Sequence, residues 1–246
     1  MKKLGLIGHP VGHSKSPDFF KTKLASINRS DVTYEAYDLE SVEDFYGFLS
    51  ENSDLVGLNV TIPHKESIIK HLCCLDDVAS EIGAVNTIVK TDNGWKGYNT
   101  DAWGFSRSLK PFIKGMHERA LVFGTGGASK AVVHSLRKLG IKTVVVSRTP
   151  VGDQIGYSEL TPEALGHYLL IVNCTPLGTS PDVERCVDIP WDGVGPNHLA
   201  VDLVYNPEET TFMKRAKAQG ASAMNGADML RMQAERSLEI WLEYGL

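Results

Sequence analysis

The sequence predicts a two-domain α/β protein, and three observations carry that prediction. A short apolar segment, Leu4 to Gly8, opens the chain as a buried strand; strand, turn and helix signals alternate after it to about residue 101. From Arg119 the pattern changes to strand, glycine turn, helix and strand, the start of a nucleotide-binding βαβ unit. At 246 residues the chain is long enough for two domains that each bury a core. Its 42% hydrophobic and 22% charged content is that of a folded globular protein.

In the first half, Ser16-Pro17 reads as an N-cap followed by proline in the first turn, opening a helix through Phe20 and Leu24. Thr33 to Tyr37 reads as a strand. Ser41 and Asp44 have capping-box spacing ahead of a helix that carries Phe45, Phe48 and Leu49. Another strand runs from Val56 to Ile62, and helical patterning resumes after Pro63. Val85 to Lys90 and Trp95 to Tyr98 flank Asp92-Asn93-Gly94, a hairpin signal. This half is a mixed α/β unit.

A second domain begins near residue 102. Its strands are Ala120 to Phe123, Thr143 to Ser147, Leu169 to Asn173 and Leu199 to Val204. Helices run through Leu139, where Gly140 stops the first, and from Glu208 to Gln219. The order implies a mostly parallel sheet. From Asn225 onward, Leu230, Ala234, Leu238 and Trp241 recur at helical spacing and define an amphipathic helix.

The net charge of -5 and the absence of extended Lys/Arg runs argue against a nucleic-acid surface. No stretch approaches the ~18 apolar residues of a membrane span, and Met1-Lys2-Lys3 leads into an apolar run too short for a secretory signal. The expected location is the cytoplasm. Cys73, Cys74, Cys174 and Cys186 show neither CxxC spacing nor a histidine at ligand spacing, so no metal is expected and a reduced compartment fits. The expected partners are small molecules.

Gly124-Thr125-Gly126-Gly127-Ala128-Ser129 lies between a strand and a helix. There glycines let the backbone approach a pyrophosphate and the helix N-terminus offers N–H donors. An NAD site would place an acidic residue at the end of the next strand; here that position reads Ser147-Arg148-Thr149, and a guanidinium suits the 2′-phosphate of NADP. Downstream, Val151-Gly152-Asp153 adds no second basic residue.

The segment Asn59-Val60-Thr61-Ile62-Pro63-His64-Lys65 sets a lysine just past a proline-terminated apolar strand, where an ammonium can face a cleft. Such a group can protonate the alkoxide left when a ketone accepts hydride, and in the reverse direction its neutral form accepts the alcohol proton. Thr61, Asn86 and Gln233 offer the mixed donors and acceptors that polyol recognition requires, although each taken singly also suits an internal hydrogen bond. Ser16 equally suits a helix cap.

Together with Ala84-Val85-Asn86-Thr87 and Gly97-Tyr98-Asn99-Thr100-Asp101, this segment resembles the shikimate dehydrogenase family, and the resemblance extends from Gly8 to Gln233. It implies an N-terminal substrate domain of residues 1–101 completed by a returning helix at 225–246. Residues 102–224 would form a Rossmann-like NADP-binding domain, the two lobes enclosing a cleft. It further implies that Lys65 and Asp101 are catalytic, that Ser14 and Ser16 hold the substrate carboxylate, and that Thr61, Asn86, Asp101, Tyr205 and Gln233 contact substrate. Asn173 and Thr175, in Asn173-Cys174-Thr175-Pro176-Leu177-Gly178, would line the cofactor cleft with Leu203 and Gly226, and Asp77 would make a further cofactor contact. Ser147 departs from the family's usual asparagine. The implied reaction is the reversible NADPH-dependent reduction of 3-dehydroshikimate to shikimate. A quinate/shikimate dehydrogenase and a non-catalytic ligand sensor are the rival readings, and the chain is expected to be a monomer or homodimer.

Overall fold

The computed structural model describes residues 2–12 and 14–246, which divide into two compact units, 1–100 with 233–246 and 101–232. The first unit contains β1 (Lys2–Gly8), α1 (Ser16–Ser26), β2 (Val32–Asp38), α2 (Phe45–Glu51), β3 (Leu55–Val60), β4 (Cys74–Leu75), α3 (Asp77–Ile82), β5 (Thr87–Thr91) and β6 (Gly94–Tyr98). Its sheet has the order β2-β1-β3-β5-β6-β4. β1 pairs in parallel with both β2 and β3, whereas β5 runs antiparallel to β3 and to β6. The hairpin closes where Thr91 faces Gly94, as its Asn-Gly signal predicts.

The sheet is covered on both faces, and its central strands β1 and β3 are buried along most of their length, whereas the neighbouring β2 is exposed or half-buried over most of its own. On one face Ile7, Leu58 and Ile88 pack with Phe45 of α2 and Ala79 of α3. On the other, Leu4 and Val89 pack with Phe20 and Leu24 of α1 and with Leu238 and Trp241 near the C-terminus. The Trp241 indole is buried and donates to the Ile88 carbonyl at 3.0 Å, so its one polar atom is satisfied.

Along the second unit come α4 (Thr100–Leu109), β7 (Arg119–Phe123), α5 (Gly127–Lys138), β8 (Lys142–Ser147), β9 (Ile155–Gly156), α6 (Pro162–Gly166), β10 (Leu170–Asn173), β11 (Leu199–Asp202), α7 (Thr211–Ala218), β12 (Ser222–Met224) and α8 (Ala227–Glu243). The sheet order is β12-β11-β10-β7-β8-β9, every pair parallel. This is the doubly wound arrangement, with the order reversing between β7 and β10. Side chains alternate accordingly: Ala120, Val122, Leu170 and Val172 face Phe105, Val132 and Leu136, while Leu121, Phe123 and Ile171 face Leu165 and Phe212.

Helix starts differ from the sequence reading in three places. Lys15, not Ser16, is the N-cap of α1; Ser14 Oγ accepts from Ser16 N at 3.2 Å, so the hydroxyl one residue ahead of the cap does the local bonding. Asp44 caps α2 by accepting from Gly47 N at 3.1 Å, and Ser41 bonds only Glu43 N. Thr210 caps α7 through Met213 N, which starts that helix three residues after Glu208. Both unit boundaries fall inside helices, in α4 after Thr100 and in α8 after Met232. Residues 225–232, read from the sequence as part of the returning segment, belong to the second unit because Met229 packs with Leu199, Val201 and Met224.

Candidate active site

Lys65 is held by backbone and imidazole bonds. His64 is buried; its Nε2–H donates to the Leu39 carbonyl at 2.5 Å and its backbone N–H to Thr61 O at 2.9 Å. On the other side, the Lys65 carbonyl accepts from Val85 N at 2.7 Å. The partly exposed lysine therefore sits on a clamped turn next in space to the Val85-Asn86 strand entry. Thr61, also partly exposed, is fixed by its own N–H to Ile7 O at 2.9 Å.

Asn86 and Gln233 come together in the interior. The Asn86 amide donates to Gln233 Oε1 at 3.2 Å and to Thr100 Oγ1 at 2.9 Å, and its Oδ1 accepts from Thr100 N at 2.7 Å. Thr100 opens the helix whose next residue is the buried Asp101, so Asn86 fixes the start of the segment that carries the carboxylate. The array extends through residues the sequence reading did not single out. Asn59 Nδ2 donates to Thr87 Oγ1 at 3.1 Å and Ser237 Oγ at 3.0 Å, Thr87 and Ser237 hydroxyls lie 2.8 Å apart, and Tyr34 OH donates to Asn59 Oδ1 at 2.9 Å. Two signals were present in the sequence: an asparagine inside the apolar run Leu55–Val60, and Ser237 one turn beyond Gln233 on the apolar face of α8.

Ser16 opens α1, with its backbone N–H donating to Ser14 Oγ at 3.2 Å. Burial pushes the Tyr34 phenol well above its ordinary range. Ser14 and Ser16 are both partly exposed. Asp77 is exposed in the first turn of α3 in the first unit. Tyr205, in the second unit, is partly buried, which raises its pKa.

At the switch point of the second sheet, two turns meet. Gly124 follows β7 with φ +105°, a conformation that favours glycine, and Ser129 Oγ donates to its carbonyl at 2.6 Å. Gly126 caps the twelve-residue α5 without a side-chain bond, and a Cβ there would meet nothing within 4 Å. Thr125 and Gly126 are exposed, and Gly127 and Ala128 partly so, leaving the first-turn N–H groups an open approach. The second turn is organised by buried Asn173: its Oδ1 accepts from Thr175 N at 3.0 Å and Thr175 Oγ1 at 2.7 Å, and its amide donates to Asp202 Oδ1 at 2.9 Å. Asn173 and Thr175 thus shape the turn with the side-chain groups that define it. Asp202 also accepts from Thr210 Oγ1 at 2.6 Å and Val204 N at 3.0 Å; burial nevertheless raises its pKa to about 6 against those bonds.

Past β8, Ser147 Oγ accepts from Thr149 N at 3.2 Å, a local turn that leaves Arg148 and Thr149 exposed. An exposed guanidinium, with serine where a carboxylate would repel phosphate, fits a 2′-phosphorylated dinucleotide. Gly226 lies so close to Leu203 that a Cβ would fall 2.1 Å from the Leu203 carbonyl oxygen, so these two sequence-predicted residues are in backbone contact. Among the described residues, no group of three His, Cys, Asp or Glu side chains is placed to hold a metal ion, and no helix is long and apolar enough to cross a membrane.

A doubly wound sheet with an open glycine turn at its switch point, and a mixed unit presenting a clamped lysine and a polar array, define a dinucleotide-dependent oxidoreductase. The description "Shikimate dehydrogenase substrate binding domain" matches residues 6–88. The NADP(+) shikimate dehydrogenase of Shouchella clausii is 38% identical over 98% of this chain and 92% of its own length. A crystal structure of shikimate 5-dehydrogenase from Thermus thermophilus, in complex with NADP(H) and shikimate, has a TM-score of 0.87 at 34% identity, covering 99% of this chain and 94% of that one. Quinate dehydrogenase from Corynebacterium glutamicum, in complex with NAD, reaches 0.85 at 25% identity over 98% and 94%. This chain belongs to the shikimate dehydrogenase family.

Proposed function

We propose that the chain catalyses the reversible NADP-dependent oxidation of shikimate to 3-dehydroshikimate, the first unit holding the substrate and the second the cofactor. One observation supports the reading: the Val85 N–H to Lys65 carbonyl bond ties the backbone of the proposed proton-transferring lysine to the strand entry whose next residue, Asn86, pairs with Gln233. Ser14 and Ser16 bind the carboxylate, and Thr61, Asn86 and Gln233 the ring hydroxyls. Asp101 positions Lys65 by accepting from its N–H, and accepts from the substrate hydroxyl before that hydroxyl turns its proton to Lys65. In the oxidising direction Lys65 takes the hydroxyl proton, and in the reducing direction its ammonium donates to the developing alkoxide. Bound NADP accepts or supplies the hydride. The α5 N-terminus at Gly126 and Gly127 receives the pyrophosphate, Arg148 the 2′-phosphate, and Leu203, Gly226 and Tyr205 border the reacting end. Asp77 is retained as a further cofactor contact.

The test is steady-state kcat/KM for shikimate and for quinate, each with NADP and NAD. Shikimate with NADP is expected to exceed each other pairing by at least about tenfold, the discrimination of one lost charged hydrogen bond. Equal or higher rates with quinate would move the chain to the quinate dehydrogenase reading, which likeness to the Corynebacterium enzyme makes the relevant alternative.

A further inference from the structure

Cys73 and Cys74 are exposed neighbours whose Sγ atoms lie 3.4 Å apart. Adjacent side chains of an extended strand point to opposite faces, so this closeness needs a local cause. The backbone supplies it: the chain bends at Cys73, whose N–H donates to the Trp95 carbonyl at 2.9 Å, and becomes extended at Cys74, where β4 pairs with β6 at Lys96. Both thiols therefore emerge together at the edge strand of the first sheet. Gly94 keeps the ground beside them clear, since a Cβ there would come 3.3 Å from Cys73 Cβ.

The separation decides what the pair can hold. A disulfide needs its sulfurs about 2.05 Å apart, so oxidation would have to draw these two together by roughly 1.3 Å. A single atom bonded to both at ~2.3 Å, the length of a zinc–thiolate bond, spans about 3.8 Å at the tetrahedral angle and less at the narrower angle of a pyramidal trivalent centre. Such a centre fits the pair as it stands. A closed zinc site needs four ligands, and among the described residues no group of three His, Cys, Asp or Glu side chains is placed to hold an ion. Protonation points the same way. The hydrogen bond shared with Cys73, with some burial, raises the Cys74 pKa, which favours neutral thiols, whereas disulfide exchange and metal ligation both draw on thiolates.

We propose that Cys73 and Cys74 form a two-sulfur capture site for a monosubstituted trivalent arsenical, R–As(OH)2. Two As–O bonds break and two As–S bonds form; each thiol proton leaves with one hydroxyl as water, and arsenic stays trivalent with R on its third valence. The site takes no part in the proposed dehydrogenase reaction, so either reading can fail without the other.

Phenylarsine oxide is the probe. The wild-type chain should take up one equivalent and lose two titratable thiols, and mass spectrometry of the digested adduct should place arsenic on the peptide that carries both cysteines. Cys73→Ser and Cys74→Ser should each weaken uptake by at least about 100-fold, since two linked contacts gain roughly 10²–10⁴ over one. Both positions are exposed, where serine is tolerated, and the mapping on wild-type protein does not depend on either variant. A small dithiol should release the arsenical where an equal concentration of monothiol does not. Replacing Cys174 and Cys186, half-buried thiols whose pKa values burial raises, should leave the affinity unchanged. Uptake of two equivalents, full affinity in either single variant, or arsenic mapped to Cys174 or Cys186 would overturn the proposal.

Discussion

Replacing Asp202 by asparagine should change how the stability of the second unit depends on pH. The carboxylate is buried between Asn173, Val204 and Thr210, and burial lifts its pKa from an ordinary 3.8 to about 6. The folded state therefore holds this proton more tightly than the unfolded chain does. Stability from this group is fully present below pH 3.8 and is lost as pH rises through 6. A shift of about two units corresponds to on the order of 3 kcal/mol, of which roughly 2 kcal/mol falls between pH 4.5 and 7.5. Asparagine carries no charge to bury. Its oxygen can accept from Asn173 and Val204, and its nitrogen can donate to Thr210 once that hydroxyl turns to accept. Relative to the wild type, Asp202→Asn should gain about 2 kcal/mol as pH is raised over that window. The assay is urea unfolding at each pH, read from amide hydrogen exchange in β10 and β11 so that the signal belongs to this unit. A difference between the two proteins that does not vary with pH, or that varies in the opposite direction, would refute the assignment of a raised pKa to burial.

Arg148→Ala should raise the KM for NADP by about 10- to 100-fold and leave that for NAD within about twofold, as loss of a charged hydrogen bond to one phosphate requires; equal effects on both cofactors would reject phosphate recognition. Gly226→Ala places a methyl 2.1 Å from the Leu203 carbonyl oxygen, backbone that has to move, and should cost on the order of 3 kcal/mol in urea unfolding as well as cofactor affinity. Gln233→Ala should raise the KM for shikimate about tenfold and leave the chain folded by circular dichroism, whereas collapse of the fold would make its bonds to Asn86 and Thr100 purely structural.

What the sequence disclosed, and what it withheld, follows from range. Strand-turn-helix grammar is local, so β1, the Asn93-Gly94 hairpin and the glycine turn after β7 were all legible, and the parallel second sheet followed from their order. The two- and three-residue strands β4, β9 and β12 escaped because a pattern of period two needs more residues than they contain. Ser16 reads as a cap because Ser-Pro spacing satisfies a statistical preference that Lys15 breaks, and the local bond is made by Ser14 Oγ, which accepts from Ser16 N. Asn59, Thr87, Thr100 and Ser237 gain their meaning only when β3, β5 and the helices α4 and α8 bring them within hydrogen-bond distance. Asn173 read as a residue of the cofactor turn, but the structure adds its bond to the buried Asp202, a pairing across two strands that no spacing announces.

The central claim is that the amine of Lys65 moves the proton at the reacting oxygen. The direct measurement is kcat for shikimate oxidation by Lys65→Ala at saturating shikimate and NADP, alongside the dissociation constant for shikimate. A fall in kcat of about 10²- to 10⁴-fold with affinity changed less than about tenfold is the predicted result. Turnover within a few-fold of the wild type would contradict the claim.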